Sequence, residues 1–426
     1  MHRRQFLGAL GRGAAAAGAA GIALDLNPLT GLCGDAAITQ AAQAGKRAII
    51  IYLGGGASQL ETWDPKPGRP TGGPYGAIPT SVPGLHIGEL LPKMATRMHH
   101  LAVVRSVSNA AVSPDHHGTG MHLGRPPDPA VRLPTLAEML TRELALADTR
   151  VPPHVELQVT DTFRYEVEAG ASLFGASFAP LVLTGRERPA NLARLAGMTD
   201  LDHHDRDQLR TLISRRFERE RQSDQAEAYS RTHAQVRGIM SCDELLDVDR
   251  APAEDHARYG STPIARHCLL ARRLIEAGVT VVKVRNTWWD THSDNFEGHR
   301  GLCANLDHAL STLLDDLSQR GLLDDTLVLT LSEFGRTPDI SAELGRNHWP
   351  HAWSVVLGGS GIAGGAIIGG TNEDGTAISD RPVGPAHLFA TYFRALGIDP
   401  KKDFHIGDRP IPLADPAGET IGELFT

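Results

Sequence analysis

The chain has 426 residues, 41% hydrophobic and 22% charged, the composition of a soluble globular protein with room for one large α/β domain or for two domains. Its formal net charge of −8 gives no footing for nucleic acid or an anionic membrane surface as partner. With cleavage near Ala44, Cys242, Cys268 and Cys303 remain, an odd number at wide spacing that argues against a disulfide framework; the lack of a CxxC pair argues against a thiolate zinc site, whereas twenty histidines suit metal chemistry.

Arg3-Arg4-Gln5-Phe6-Leu7 is a twin-arginine pattern. An Ala/Gly-rich, weakly apolar run follows from Gly8 to Leu24, then a small-x-small cleavage site at Ala42-Gln43-Ala44. Residues 1–44 are therefore expected to be a signal peptide that engages the Tat export machinery, for a periplasmic or secreted protein. The bland alternative is a short Ala/Gly tail. Arg12 and the glycines make the run a poor membrane span, so no stable span is expected after cleavage. The mature chain, 45–426, is expected to be a single domain.

Arg47 to Leu53 (RAIIIYL) predicts a buried strand. It runs into Gly54-Gly55-Gly56-Ala57-Ser58, a turn through which backbone can approach a ligand, although the cluster fits no Walker or dinucleotide pattern. Leu101 to Val107 predicts a second strand. The segment Ser113-Pro114-Asp115-His116-His117-Gly118-Thr119-Gly120 then reads as a loop capping a helix, where an oxyanion can sit. Leu136 to Ala147 reads as helix and Val155 to Thr160 as strand. Asn191 to Met240, rich in Arg and Glu, predicts one or two long solvent-facing helices within a helical insertion around 190–260. His203, His204 and His233 there read as solvated residues, not ligands.

From Pro263 the alternation is regular. Helix Pro263 to Ala277 is closed by Gly278, and strand Val279 to Val284 follows. Helix His299 to Arg320 carries Leu302, Leu306, Leu310, Leu313, Leu314 and Leu317 on one side. Strand Leu327 to Leu331, a strand from Ser354 to Leu357, a glycine-rich turn or hairpin from Gly358 to Gly370, and helix His387 to Leu396 complete the chain. Helices and strands alternating through short connections imply crossover units, hence an α/β fold with a mostly parallel sheet between helices.

Two stretches could carry chemistry. Asp290 and His292 follow the Val279 strand closely, and Glu333 ends the Leu327 strand, with His348 and His351 on the loop beyond. Alone, Asp290-His292 reads equally well as an Asx-stabilised turn. Together the five suggest a metal site at the carboxyl ends of strands. Carboxylate plus imidazole suits a divalent metal, zinc first, with calcium, magnesium or manganese as alternatives. His299 is a further candidate ligand. Ser113, Thr119 or Ser58 could be a nucleophile activated by metal or by His116, though loop hydroxyls are more often caps. Arg336 either clamps an anionic substrate or pairs with the acid next to it. The backbone of Gly55, Gly56 and Ser58 is the candidate cradle for the anionic group. Trp289, Trp349 and Trp353 either wall a pocket or are ordinary half-buried aromatics.

The segments RRQFL, YLGGGASQLETWDPKPG, WDTHSDNF, GLLDDTLVLTLSEFGRTP and GRNHWPHAWSVVLGGSGIAGG resemble a large bacterial family of twin-arginine-exported proteins. That family is catalogued as a domain of unknown function within the alkaline-phosphatase-like (sulfatase-like) superfamily. The resemblance implies a central mixed, mostly parallel sheet between helices, with metals at strand ends. It also implies hydrolysis of phosphate or sulfate esters with two metal positions and a Ser, Thr or modified Cys nucleophile. One metal position normally takes an acid and a histidine from one loop and a late histidine, which Asp290, His292 and His348 or His351 resemble. The other takes an acid directly after the first strand and an Asp-His pair before a glycine. Here Gly54-Gly55-Gly56 follows the first strand with no acid until Glu61 and Asp64, and Glu333-Phe334 precedes Gly335. No Cys-x-Pro-x-Arg run occurs, so formylglycine chemistry is not expected. The family pattern usually has an aspartate where this chain has Asn347. The expectation is an exported metal-dependent hydrolase of phosphate or sulfate esters, acting on a small-molecule or glycan ester. The alternative is a catalytically degenerate sulfatase-like binding or accessory protein.

Overall fold

The computed structural model describes residues 45–109, 119–128, 131–145, 151–159, 172–175, 178–184, 197–221, 238, 240, 243–406 and 409–425. The expected signal peptide, Ser113, His116 and His233 lie outside the described residues. In chain order the strands are β1 (Arg47–Leu53), β2 (Ala77–Pro79), β3 (His86–Gly88), β4 (Leu101–Val107), β5 (His154–Gln158) and β6 (Leu181–Thr184). They continue with β7 (Val281–Asn286), β8 (Thr326–Leu331), β9 (Gly335–Arg336), β10 (His348–Trp349), β11 (Trp353–Gly358) and β12 (Ile367–Ile368).

Eight of these form one sheet in the order β12-β4-β11-β8-β1-β7-β5-β6. β11 is antiparallel to both its neighbours, and the other pairings are parallel, so the sheet is mixed and mostly parallel. RAIIIYL is apolar throughout because β1 is central and covered on both faces. Ile49, Ile51 and Leu53 share a core with Leu269 and Leu310 of helices Pro263–Glu276 and Asn295–Gln319. Ala48, Ile50 and Tyr52 share the other core with Leu140 and Phe389 of helices Leu136–Leu144 and Pro385–Ala395. This period-two division places a helical layer on each face, the expected α/β architecture.

Two boundaries moved for physical reasons. β7 begins at Val281, not Val279, because the Val279 amide closes the preceding helix on Leu274 O at 2.9 Å, around Gly278 at φ +94°. The long helix begins at Asn295, not His299. Its entry is held by a tertiary contact, Asn295 N–H to Leu344 O at 2.9 Å, which a local pattern does not contain. The charged segment forms helix Asp200–Arg221, with Leu201, Leu209, Leu212 and Ile213 exposed. Among the described residues no helix is long and apolar enough to cross a membrane.

The register positions the site. Leu53 lies opposite Asn286 and Tyr52 opposite Leu331, so the loops leaving β1, β7 and β8 emerge side by side at one edge. β4 runs in the same direction. Just past it, Asn109 N–H donates to Pro350 O at 2.9 Å, next to the loop that carries His348.

Candidate metal centre

The loop after β7 is pulled against the loop after β1. Gly54 N–H donates to Asn286 O at 2.9 Å and Trp289 N–H to Gly54 O at 3.1 Å. Gly55 (φ +103°) lies so close that a Cβ there would stand 2.5 Å from the Asp290 amide nitrogen. Only glycine permits this approach, and it fixes Asp290 at the sheet edge. From β8 the chain enters a short antiparallel ladder, β9 with β10, pairing Arg336 with His348 and Gly335 with Trp349. That ladder delivers His348 to Asp290.

Asp290, His292 and His348 converge. Asp290 Oδ1 lies 3.0 Å from His292 Nε2 and 3.1 Å from His348 Nε2, and the two Nε2 atoms are 3.1 Å apart. Three donors on a tetrahedral ion with bonds of about 2.0–2.2 Å would stand roughly 3.3–3.6 Å apart, so small side-chain shifts suffice to hold one. Two imidazoles and one carboxylate fit zinc with a position left open. Among the described residues this is the one group of three or more His, Cys, Asp or Glu side chains whose ligand atoms come so close.

The neighbours of these three orient them. His292 Nδ1 lies 3.0 Å from Asn347 Oδ1, an acceptor; in the neutral imidazole a proton on Nδ1 would leave the Nε2 lone pair for a metal. His348 packs on Phe334 with ring centroids 4.2 Å apart. Burial works against the Asp290 carboxylate, but hydrogen bonds from His348 and Arg336, with the Arg336 charge, hold its pKa well below the usual carboxylate range.

Arg336 is fully buried and makes no clamp for a substrate from solvent. Its guanidinium bonds Asp290 Oδ1 and Gly55 O, and donates to Gly56 O and Arg346 O at 2.9 Å each. Of the two roles expected for it, the structure gives that of partner to an acid, and the hydrogen-bonded acid is Asp290. Gln59 extends the β9 ladder, its Oε1 accepting Arg336 N–H and its Nε2 donating to Arg336 O, both at 2.9 Å.

Glu333 and His351 stand outside the converged set. Glu333 Oε1 accepts the Gly55 N–H at 2.7 Å. His351 is exposed, its ring against Trp349 at 4.7 Å. His299 is not a ligand either. It accepts the Ser58 N–H at Nε2, 3.0 Å, and its Nδ1 donates to Asn295 O at 2.9 Å. Burial lowers its pKa to about 4, so it is a neutral core histidine.

The expected anion cradle is engaged internally, since Gly55 N–H goes to Glu333, Gly56 N–H to Leu53 O at 3.4 Å and Ser58 N–H to His299. A Cβ on Gly56 would stand 2.6 Å from the Phe334 ring, so this glycine makes room for protein rather than ligand. Trp289 and Trp353 are fully buried, Trp349 is half-buried, and Trp288 is the exposed indole at the site. Sequence reasoning passed over Trp288, Gln59 and the orienting role of Asn347. None of them belongs to a spacing pattern, and their roles arise only where loops meet.

No curated protein matches the chain. Similar solved structures include the PsFucS1 sulfatase from Pseudoalteromonas sp., at 11% identity and TM-score 0.40, covering 85% of this chain and 71% of that one. They also include the zinc complex of the C-terminal periplasmic domain of EcEptC from Escherichia coli, at 10% identity and TM-score 0.37, covering 90% and 96%. A third is the lipoteichoic acid synthase LtaP from Listeria monocytogenes, at 9% identity and TM-score 0.34, covering 88% and 76%. A family model described as "Protein of unknown function (DUF1501)" matches residues 45–425, and the chain belongs to that family.

Proposed function

We propose that the protein is an exported hydrolase of phosphate or sulfate esters that works with one divalent cation, zinc fitting best, held by Asp290, His292 and His348. The observation that carries this reading is the triangle of three donor atoms about 3 Å on a side at the carboxyl edge of the sheet. When bound there, a divalent cation supplies Lewis-acid polarisation of an ester oxygen and of water. The chain's own residues prepare the place for it. Asn347 sets the His292 tautomer, Phe334 supports the His348 ring, and Arg336 keeps Asp290 ionised. Ser113 and His116 remain the proposed nucleophile and its base. The last described residue before that segment, Asn109, is bonded to Pro350 beside the His348 ladder. Residues 1–44 are the proposed twin-arginine signal.

A second reading, a sulfatase-like binding or accessory protein without turnover, is favoured by one observation. The amides of Gly55, Gly56 and Ser58, the expected anion cradle, are engaged within the protein. A panel of aryl phosphate and aryl sulfate esters, offered to metal-loaded protein, separates the two. Turnover that disappears in His292→Ala and Ser113→Ala supports the hydrolase. Metal retained with no turnover on any ester supports the binding role.

A further inference from the structure

Five non-glycine residues have positive φ among those described: Trp288 (81°), Asp294 (49°), Leu344 (55°), Ser360 (48°) and Arg381 (43°). Trp288, Asp294 and Leu344 flank the metal centre, on the loops that carry Asp290, His292 and His348. A bulky side chain at positive φ is sterically disfavoured and marks a place worth a functional explanation. Two of the three also keep a large apolar side chain in water, Trp288 at 54% exposure and Leu344 at 56%. Outside helix Asp200–Arg221, Ile367 is the one other large hydrophobic so exposed among the described residues. The contrast within the loop is sharp, since Trp289 is fully buried beside Trp288.

The two loops are locked together. Asp294 N–H donates to Glu343 O at 3.0 Å, Asn295 N–H to Leu344 O at 2.9 Å and Arg346 N–H to Thr291 O at 3.1 Å. Gly345 lies so near that a Cβ on it would overlap His292 O at 1.7 Å. The exposed indole, two residues from Asp290, is therefore set on a loop that is braced against the loop leading to His348.

We propose that Trp288, with Leu344 on the joined loop, is a stacking platform for the sugar ring of an anionic glycan ester whose phosphate or sulfate group meets Asp290, His292 and His348. This rests on the ester reading above and adds the substrate class. A pyranose offers an apolar C–H face to an indole while carrying its charged ester on the same small ring, which matches one aromatic plane next to a compact polar centre. A lipid ester would instead call for a run of aliphatic side chains, and the exposed apolar residues of these loops are one indole and one leucine.

Trp63, Trp289 and Trp353 are buried and Trp349 is half-buried, so the exposed component of tryptophan emission reports Trp288. Metal-loaded full chain is titrated with glucose 6-phosphate, glucose 6-sulfate and a sulfated galactan oligosaccharide. Parallel arms use phenyl phosphate and phenyl sulfate, inorganic phosphate and sulfate, and phosphatidylglycerol vesicles. Glycine accepts positive φ, so Trp288→Gly is expected to melt no lower than the parent protein. The expected result is that sugar esters quench or blue-shift the exposed emission. Trp288→Gly should weaken their binding roughly three- to ten-fold, and Trp288→Phe should restore most of it. Unaltered sugar-ester affinity in Trp288→Gly overturns the platform. So does a response to vesicles but not to sugar esters. Binding of aryl esters and inorganic anions with no binding of sugar esters overturns the platform and leaves the ester reading standing. Absence of both metal and anion binding overturns the ester reading and the platform with it.

Discussion

Arg336 and Asp290 form a partly buried ion pair across the two loops that build the metal centre. The guanidinium is fully enclosed and also satisfies three backbone carbonyls, those of Gly55, Gly56 and Arg346. One side chain thus fixes the Asp290 carboxylate and ties the glycine turn to the β9–β10 ladder. Arg336→Met should leave a partly buried carboxylate and three carbonyls without their donor. The expected loss is about 3–5 kcal/mol of stability, read by chemical denaturation. Arg336→Lys should not rescue it, because an ammonium cannot reproduce the planar fork.

Gly55 tests whether close approach positions Asp290. Gly55→Ala should destabilise by about 2–3 kcal/mol and release metal, because its Cβ would meet the Asp290 backbone. Gly68 also has positive φ, 76°, but no atom within 4 Å of the added Cβ. Gly68→Ala should therefore cost only about 1 kcal/mol and leave metal content intact. Equal losses for the two variants would place the effect in the backbone conformation alone.

Asn347 tests the orientation of His292. Asn347→Leu removes the Nδ1 acceptor and should lower metal affinity about 10- to 100-fold in a chelator competition. Asn347→Asp keeps an acceptor in the same place and should hold the metal at least as tightly as the parent protein.

Acid should unfold the protein through buried histidines outside the converged metal-ligand set. Burial lowers the pKa of His154, and of His299, to about 4, and drives His122 well below its ordinary value. Each group is neutral when folded and takes up a proton more readily when unfolded. Their contribution is therefore present above about pH 6.5 and is lost as pH falls toward 4, by up to roughly 3 kcal/mol each for His154 and His299. Urea midpoints measured from pH 7 to 4 should fall, and His154→Gln should flatten the slope.

The fold was largely legible because its strongest signals are local. RAIIIYL and TLVLTL are continuous apolar runs that only central, doubly covered strands require, and Gly278 and Gly321 mark helix ends by conformation. The site was legible in part. Asp290, His292 and His348 share the edge that a parallel sheet dictates, so their convergence follows from topology. Glu333 shares that edge too, yet its carboxylate turns to the Gly55 amide, a choice made by the glycine turn and absent from any spacing rule. His299 looked like a ligand at a helix start, but helix Asn295–Gln319 begins one turn earlier, at a contact with Leu344. Arg336 was weighed against the acid beside it in sequence, whereas the hydrogen-bonded acid lies 46 positions away on another loop.

Metal content tests the central claim most directly. Protein purified without chelator and equilibrated with zinc should carry about one ion per chain by elemental analysis. Asp290→Ala, His292→Ala and His348→Ala should each lose it, while His351→Ala, outside the converged set, should keep it. A parent protein that binds no divalent metal, or a full complement of metal in His292→Ala and His348→Ala, would contradict the account.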